Sequence, residues 1–309
     1  MEPRKDVAIV LKSVAFEERH RIVTALSLEN GQISAIAKNS IQSRRFGGAL
    51  DLFAASDWIF TTRPGSDLAH LSEAKIRESF SQLQADFSLL SVASALNEIM
   101  LRIAPQRQAC PDLFRLHSNA LAALNDFAKR PPSERTISEV VFLNAYLAKL
   151  LQWNGSQPKL QSCIQCNTSL NDIPFDAELT CRISSAGWAC PGCRQHSPES
   201  LAFQNSFIRV SPAAIRDLQF SLCFPIRQIF HPEGWQKELQ TQVRTDLKAE
   251  STASPAEHAD LFQFLEGLFA FHVPGFDQKP LKSLRFLGLK SNLILDPKSN
   301  VMPPESSLQ

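Results

Sequence analysis

The chain has 309 residues, more than one hydrophobic core comfortably serves, so two or three domains are expected. Hydrophobic residues make up 44 % and charged residues 20 %, a globular composition that excludes a disordered chain. A net charge of +1 excludes an overall polycation, so any nucleic-acid surface has to be a local patch.

The N-terminus, MEPRKDVAIV, carries Glu2, Arg4, Lys5 and Asp6 and offers no apolar signal-peptide core. No uncharged apolar run approaches the roughly 18 residues of a membrane span. The expectation is a cytoplasmic protein with no membrane contact. Its seven cysteines would then be reduced, serving as metal ligands and buried thiols rather than disulfides.

Residues 6 to about 77 read as five strands. DVAIVLKSVAF places Val7, Ile9 and Leu11 on one face. RIVTALSLENGQISAIAK is two β-rich runs joined at Glu29-Asn30-Gly31, a hairpin signal because Asn and Gly tolerate positive φ. ALDLFAASDWIFTT and SDLAHLSEAKI flank a turn at Arg63-Pro64-Gly65-Ser66. Five strands need their edges protected, and a small closed or nearly closed barrel is the natural solution. Phe16, Phe53, Trp58 and Phe60 are expected in its core.

From Asp86 the apolar period becomes helical, and Pro105 ends the first helix. Pro111 fits the first position of a second helix, broken at Arg130-Pro131-Pro132. Ser133 is the expected cap of a third, carrying Ile137 to Leu151 and apolar on nearly every side, hence buried. Ser211-Pro212 and Ser254-Pro255-Ala256-Glu257 read as helix starts, the second with a capping box. His117 and His272 fall within helical patterns and read as packing residues. Residues from about 298 to 309 read as a disordered tail.

Between these helices lie two C-x-x-C pairs, Cys163/Cys166 and Cys190/Cys193. Each pair forms a knuckle that grips one ion through two thiolates, and two knuckles complete a tetrahedron, which points to structural Zn2+. Four thiolates leave no open position for a reacting water. A redox C-x-x-C is disfavoured by the second pair. A nucleobase deaminase needs H-x-E before P-C-x-x-C, whereas His231-Pro232-Glu233 follows it. Cys181, Cys110 and Cys223 read as buried, unligated thiols. No nucleotide-binding, hydrolase or zinc-protease motif occurs, so the chain reads as a non-enzyme.

The segment AKNSIQSRRFGGAL, residues 37–50, carries Lys38, Arg44 and Arg45, with no acid until Asp51. Phe46 could stack on a base, and Lys12, Arg19 and Arg21 on neighbouring strands could extend the patch. Two readings stand for this segment alone: a polyanion-binding loop, or a solvated loop with ordinary surface charge.

VLKSVAFEERHRIVTALSLENGQISAIAKNSIQSRRFGGAL resembles the opening of the RecO family of bacterial recombination mediators. Lys279-Pro280-Leu281-Lys282-Ser283-Leu284-Arg285-Phe286-Leu287 is similar to that family's ending. Asn39 stands where the family usually has a glycine, and the basic loop holds fewer cations than is typical. The resemblance implies an α+β protein: an OB-fold over residues 1–80, and a helical domain over 81–158 and 199–297, with a zinc module at 159–198 inserted in it. It implies binding of single- and double-stranded DNA, strand annealing, and loading of RecA onto DNA coated by single-strand-binding protein, with RecR and with or without RecF. It further implies a nucleoid-associated protein in a bacterial cytoplasm. The coating protein's C-terminal tail would dock on the helical domain, with Arg135, Leu143 and Lys149 of the third helix as contributors. The competing readings are a zinc-stapled protein–protein adaptor without DNA contact, and a zinc-dependent hydrolase, which would need an open coordination site.

Overall fold

The alternating pattern of the first 80 residues folds as five strands: β1 (Arg4–Phe16), β2 (His20–Ser27), β3 (Gly31–Ala37), β4 (Ala55–Thr61) and β5 (Leu68–Glu78). They close in the order β1-β2-β3-β5-β4. β3 and β5 run parallel, and every other pair is antiparallel. This is the OB arrangement, a barrel without free sheet edges over most of its girth. The coordinates are a computed structural model that describes residues 2–41, 43–135, 138–194, 207–230, 253–274, 276 and 279–291. Ile137, His231 to Glu233 and the expected tail lie outside the described residues.

β1 is buried on both faces. Ala8 and Val10 fill the barrel with Val23, Ala35, Trp58 and Leu71. Ile9 and Leu11, one residue out of phase, belong to the core of the helical region, together with Leu26, Phe53 and Phe80. A bulge between Val10 and Lys12 shifts the β1–β2 register as β1 leaves the barrel. Phe53, Trp58 and Phe60 are buried as expected, but Phe16 is exposed. It sits where β1 has paired only with β2, beyond the last β4 partner at Ile9, so no barrel wall covers it.

The helical region follows its local signals closely. The Asp86 side chain caps α1 (Phe87–Ile103) by accepting from the Leu89 N–H at 3.0 Å. Pro111 opens α2 (Pro111–Ala128). The third helix, α3 (Glu139–Trp153), is capped by Ser138 and not by Ser133, which lies in a 3₁₀ turn, Pro132–Glu134. The reason is tertiary. Arg135 binds the Asp86 carboxylate and the carbonyls of Arg130 (3.2 Å) and Ala128 (3.0 Å), which leads the chain across the end of α2 before α3 begins. From Val141 to Leu151 nearly every side chain of α3 is buried, as its apolar sequence requires.

A small sheet, ordered β7-β6-β8, follows: β6 (Leu179–Arg182), β7 (Gly187–Ala189) and β8 (Phe207–Val210), with the one-turn α4 (Pro191–Arg194) after β7. Ser211 and Ser254 cap α5 (Pro212–Leu222) and α6 (Pro255–His272), and Ser254 and Glu257 form the expected capping box. A last 3₁₀ turn, Lys282–Phe286, packs on α1. No helix among the described residues is long and apolar enough to cross a membrane.

The barrel and the helices join at the β2–β3 turn. The Gln32 N–H donates to the Pro105 carbonyl (2.9 Å), and the Arg107 N–H donates to the Gln32 carbonyl (3.2 Å). Gly31 has φ +64°, and a Cβ there would stand 2.1 Å from the Gln108 carbonyl oxygen. Only glycine satisfies both the dihedral and this approach.

Candidate metal centre and nucleic-acid interface

The two cysteine knuckles converge. The Sγ atoms of Cys163, Cys166, Cys190 and Cys193 all lie within 4.8 Å of one another. Cys166 Sγ and Cys190 Sγ are 3.6 Å apart, close to the ~3.8 Å edge of a tetrahedron with metal–sulfur bonds near ~2.3 Å. The backbone prepares this geometry. The Cys190 N–H points at Cys163 Sγ (3.3 Å), while the Cys163 N–H donates to the Thr168 carbonyl (2.9 Å). The Thr168 hydroxyl and backbone N–H draw the Cys166 thiol down to about 6, whereas the hydrogen bond to Cys166 pushes the Cys193 thiol up to about 12 and burial pushes Cys190 up. These four residues could hold a metal ion, and as a four-sulfur set they would close its coordination shell. Cys181, on β6, is fully buried and lies outside the cluster, and burial pushes its thiol far up. Cys110 is buried as expected, whereas Cys223 is exposed, because it caps the end of α5 instead of facing its apolar side.

The module is sewn into the helices by polar contacts from buried groups. The Arg216 guanidinium of α5 donates to the carbonyls of Leu170 (2.9 Å) and Ile173 (2.7 Å) and lies over the Phe175 ring. Within the module, Trp188 Nε1 donates to the Leu160 carbonyl at 2.8 Å.

The cationic residues singled out in the barrel do not form one patch. Arg19 and Lys38 meet at the barrel end where β1 turns into β2. There the Ile41 N–H donates to the Arg19 carbonyl (3.2 Å) and the Asn39 N–H to His20 Nδ1 (2.9 Å). Asn39 has φ 56°, a left-handed position that Asn tolerates better than other non-glycine residues. Arg21 is beside them, but its guanidinium is paired with Asp51 at 3.2 Å. Lys12 is exposed on β1, four residues or roughly 13 Å before its end. Arg44 and Arg45 are exposed on the long β3–β4 connection, and Arg45 lines a depression on the β4–β5 side that holds Lys5 and Lys75 together with the carboxylates of Asp6, Asp57 and Glu73.

Phe46 is the correction. It is 3 % exposed and belongs to the barrel core with Trp58 and Phe60. Its ring plugs the barrel where the connection crosses it, with the Arg45 guanidinium 5.6 Å from its centre, so it offers no face to a base. Arg44, Arg45, Arg19, Lys38 and Lys12 have no carboxylate partner among the described residues, which leaves their charge available to an anion.

Two family models match the chain: Recombination protein O N terminal over residues 1–80, and Recombination protein O C terminal over residues 84–222. The DNA repair protein RecO of Anaeromyxobacter dehalogenans is 30 % identical over 204 residues, covering 65 % of this chain and 74 % of its own length. The DNA repair proteins RecO of Pelobacter propionicus and Geobacter metallireducens are each 32 % identical, over 200 and 208 residues. These alignments cover 62 % and 65 % of this chain and 74 % and 79 % of theirs. The chain belongs to the RecO family.

RecO membership makes this a DNA repair protein, in accord with an OB barrel that carries uncompensated cations. The family-like ending has a structural role. The Lys282 and Ser283 N–H groups donate to the Glu98 carboxylate of α1 (3.0 and 3.3 Å), itself paired with Arg102 at 2.9 Å. The three residues expected to receive a RecO partner's tail form no groove. Arg135 precedes α3 and is spent on Asp86, Leu143 is fully buried, and Lys149 is half-buried with Nζ 3.5 Å from the Leu222 carbonyl. α3 is enclosed by α1, α2, α5 and α6, so its apolar stripe is core. Two exposed features escaped the sequence reading. One is the ring pair Phe87–Phe286 (5.6 Å) beside Arg285, and the other is a group of arginines at the far barrel end.

Proposed function

We propose that this chain is a non-enzymatic recombination mediator that binds single- and double-stranded DNA and anneals complementary strands. With RecR, and with RecF where it takes part, it helps to load RecA onto DNA coated by single-strand-binding protein. The observation that carries this reading is the set of exposed cations without carboxylate partners, Arg19, Lys38, Arg44 and Arg45, on an OB barrel. Annealing requires two phosphate backbones to be neutralised and no covalent bond to change. Cations that displace condensed counterions suffice for it.

Zn2+ is the ion best suited to the Cys163, Cys166, Cys190 and Cys193 set, because four thiolates at tetrahedral spacing match its structural sites. Its role is to hold the module on the helices. The acidic, apolar tail of single-strand-binding protein needs exposed apolar surface beside a cation. Phe87, Phe286 and Arg285 offer that combination on the helical domain. The protein works in the bacterial cytoplasm at the nucleoid.

The test is annealing of complementary oligonucleotides coated by the cognate single-strand-binding protein, with its tail intact or removed. Acceleration that depends on the tail is expected. No acceleration on either substrate would overturn the reading.

A further inference from the structure

A cleft of about 500 Å³ opens at the barrel end where β2 turns into β3. This is the far end of β3 from Arg19 and Lys38, roughly 20 Å away along the strand. Three guanidiniums line it from three separate elements: Arg4 at the start of β1, Arg63 in the β4–β5 turn, and Arg107 in the α1–α2 connection. Among the described residues Asp67 is the one carboxylate on its wall, and it pairs with Arg107 at 3.4 Å. Arg4 and Arg63 are exposed and have no carboxylate partner among the described residues.

Arg107 is placed with care. Its backbone sits in the left-handed region at φ 57°, uncommon for any residue but glycine. The N–H is tied to the Gln32 carbonyl and the guanidinium to the Ser66 carbonyl of the β4–β5 turn. A strained residue whose side chain bridges two elements at the mouth of a cleft points to a function for the cleft. The helical domain thereby contributes a fixed cation to the barrel's surface.

We infer that this cleft is a second phosphate-binding site for single-stranded DNA, built jointly by the barrel and the α1–α2 connection, at the opposite end of β3 from Arg19 and Lys38. The inference rests on the DNA-binding reading above and extends it. Guanidinium forks suit phosphate oxygens; Arg4 and Arg63 can supply them, while Arg107, held by Asp67 and the Ser66 carbonyl, fixes the wall beside them. Between the two ends, the outer face of β2–β3 carries the Thr24 and Ser34 hydroxyls, 3.0 Å apart, and beside them the apolar pair Ile22 and Ile36. One strand lying along this face would meet cations at both ends.

The experiment is an anisotropy titration of a labelled thymidine oligonucleotide with the full chain across a salt series. The proteins compared are the wild type, the pair Arg4→Ala/Arg63→Ala, and the pair Arg44→Ala/Arg45→Ala. The Arg4 and Arg63 side chains make no hydrogen bond or ion pair among the described residues, and their backbone bonds survive substitution by Ala, so an unchanged melting temperature is expected for the first pair. That pair should bind about tenfold more weakly, with a log–log salt slope shallower by roughly 1.4, the loss of two single-strand phosphate contacts. Wild-type binding with an unchanged affinity and slope in Arg4→Ala/Arg63→Ala would overturn the second site and leave the DNA-binding reading intact. Failure of the wild type to bind the oligonucleotide would overturn both.

Discussion

The Nε2 of His117 lies 3.0 Å from the Oδ1 of Asn97, inside the helical core. The Asn97 amide donates to the carbonyls of Val10 (3.2 Å) and Leu11 (3.0 Å) of β1, so Oδ1 is the acceptor and His117 must carry its proton on Nε2. The Nδ1 then accepts from the Tyr146 hydroxyl at 3.0 Å. This chain of three side chains ties α1, α2 and α3 to the barrel at the β1 bulge. Both ring nitrogens are satisfied only in the neutral form, and burial draws the imidazole down to about 3.

The unfolded chain therefore takes up a proton near pH 6.5 that the folded chain refuses. Stability is fully expressed above pH 6.5 and falls as the pH drops towards about 3, by up to roughly 1.4 kcal/mol per pH unit from this group. Denaturant titrations at pH 7.5 and 5.5 check this, with His117→Gln as the comparison. The variant should be less stable at pH 7.5 but lose less on acidification.

Gly31→Ala should destabilise the protein by about 3 kcal/mol or more, since the new methyl meets the Gln108 and Pro105 carbonyls in a left-handed backbone. Gly65, at φ +74° in an open turn, is the control. Gly65→Ala carries the dihedral penalty without the collision, about 1 kcal/mol. Thermal melting of both variants separates the two effects.

Cys190→Ser removes one of four sulfurs. Bound metal and melting temperature should fall together, since a structural site of this kind contributes on the order of 10 kcal/mol. DNA affinity of the fraction that remains folded should be unchanged. Metal analysis beside the melt and a binding titration checks this. A folded variant that had specifically lost DNA binding would give the centre a direct role.

Arg44→Ala/Arg45→Ala should weaken single-strand binding and flatten its salt slope by roughly 1.4. Phe46→Ala should act differently. It empties a core position, so it should lower the melting temperature by an amount equivalent to about 3 kcal/mol and reduce DNA binding only as the barrel loosens. Comparing the salt slopes of the double variant and of Phe46→Ala with their melts distinguishes contact from packing.

Phe286→Ala with Arg285→Ala should reduce the affinity of the helical domain for a peptide of the coating protein's tail about tenfold, equivalent to ~1.4 kcal/mol, with little loss of stability because both side chains are at the surface. Calorimetry with the peptide measures it. Undiminished binding would place the tail elsewhere.

Features set by near neighbours were legible in the sequence. Asn30-Gly31, Asp86, Pro111, Ser211 and the Ser254–Glu257 box each act within four residues, and each stands where its chemistry predicts. The two C-x-x-C spacings also contained enough information to bring four sulfurs together. Cys223 aside, whose exposure follows from its place at the end of α5, the misses involve partners far away in sequence. Ser133 lost its cap to Arg135 reaching Asp86, 49 positions back. Phe46 looked like a loop aromatic, and only the closed barrel shows that it fills an opening. Leu143 is buried as the apolar sequence of its helix requires, and only α1, α2, α5 and α6 closing around that helix show that Lys149 rims no groove. Arg4, Arg63 and Arg107 are about 40 to 100 positions apart and form a group only once the α1–α2 connection folds back on β3.

Because β1 supplies Ala8 and Val10 to one interior and Ile9 and Leu11 to another, the order of synthesis matters. All five strands leave the ribosome before α1 exists, and until it arrives Ile9, Leu11, Leu26, Phe53 and Phe80 form an uncovered greasy flank. A fragment cut at residue 80 would keep that flank permanently and should collect in inclusion bodies. In the nascent chain the barrel is a half-built wall, and α1, pinned by Asn97 to the Val10 and Leu11 carbonyls, is the piece that lets it stand in water.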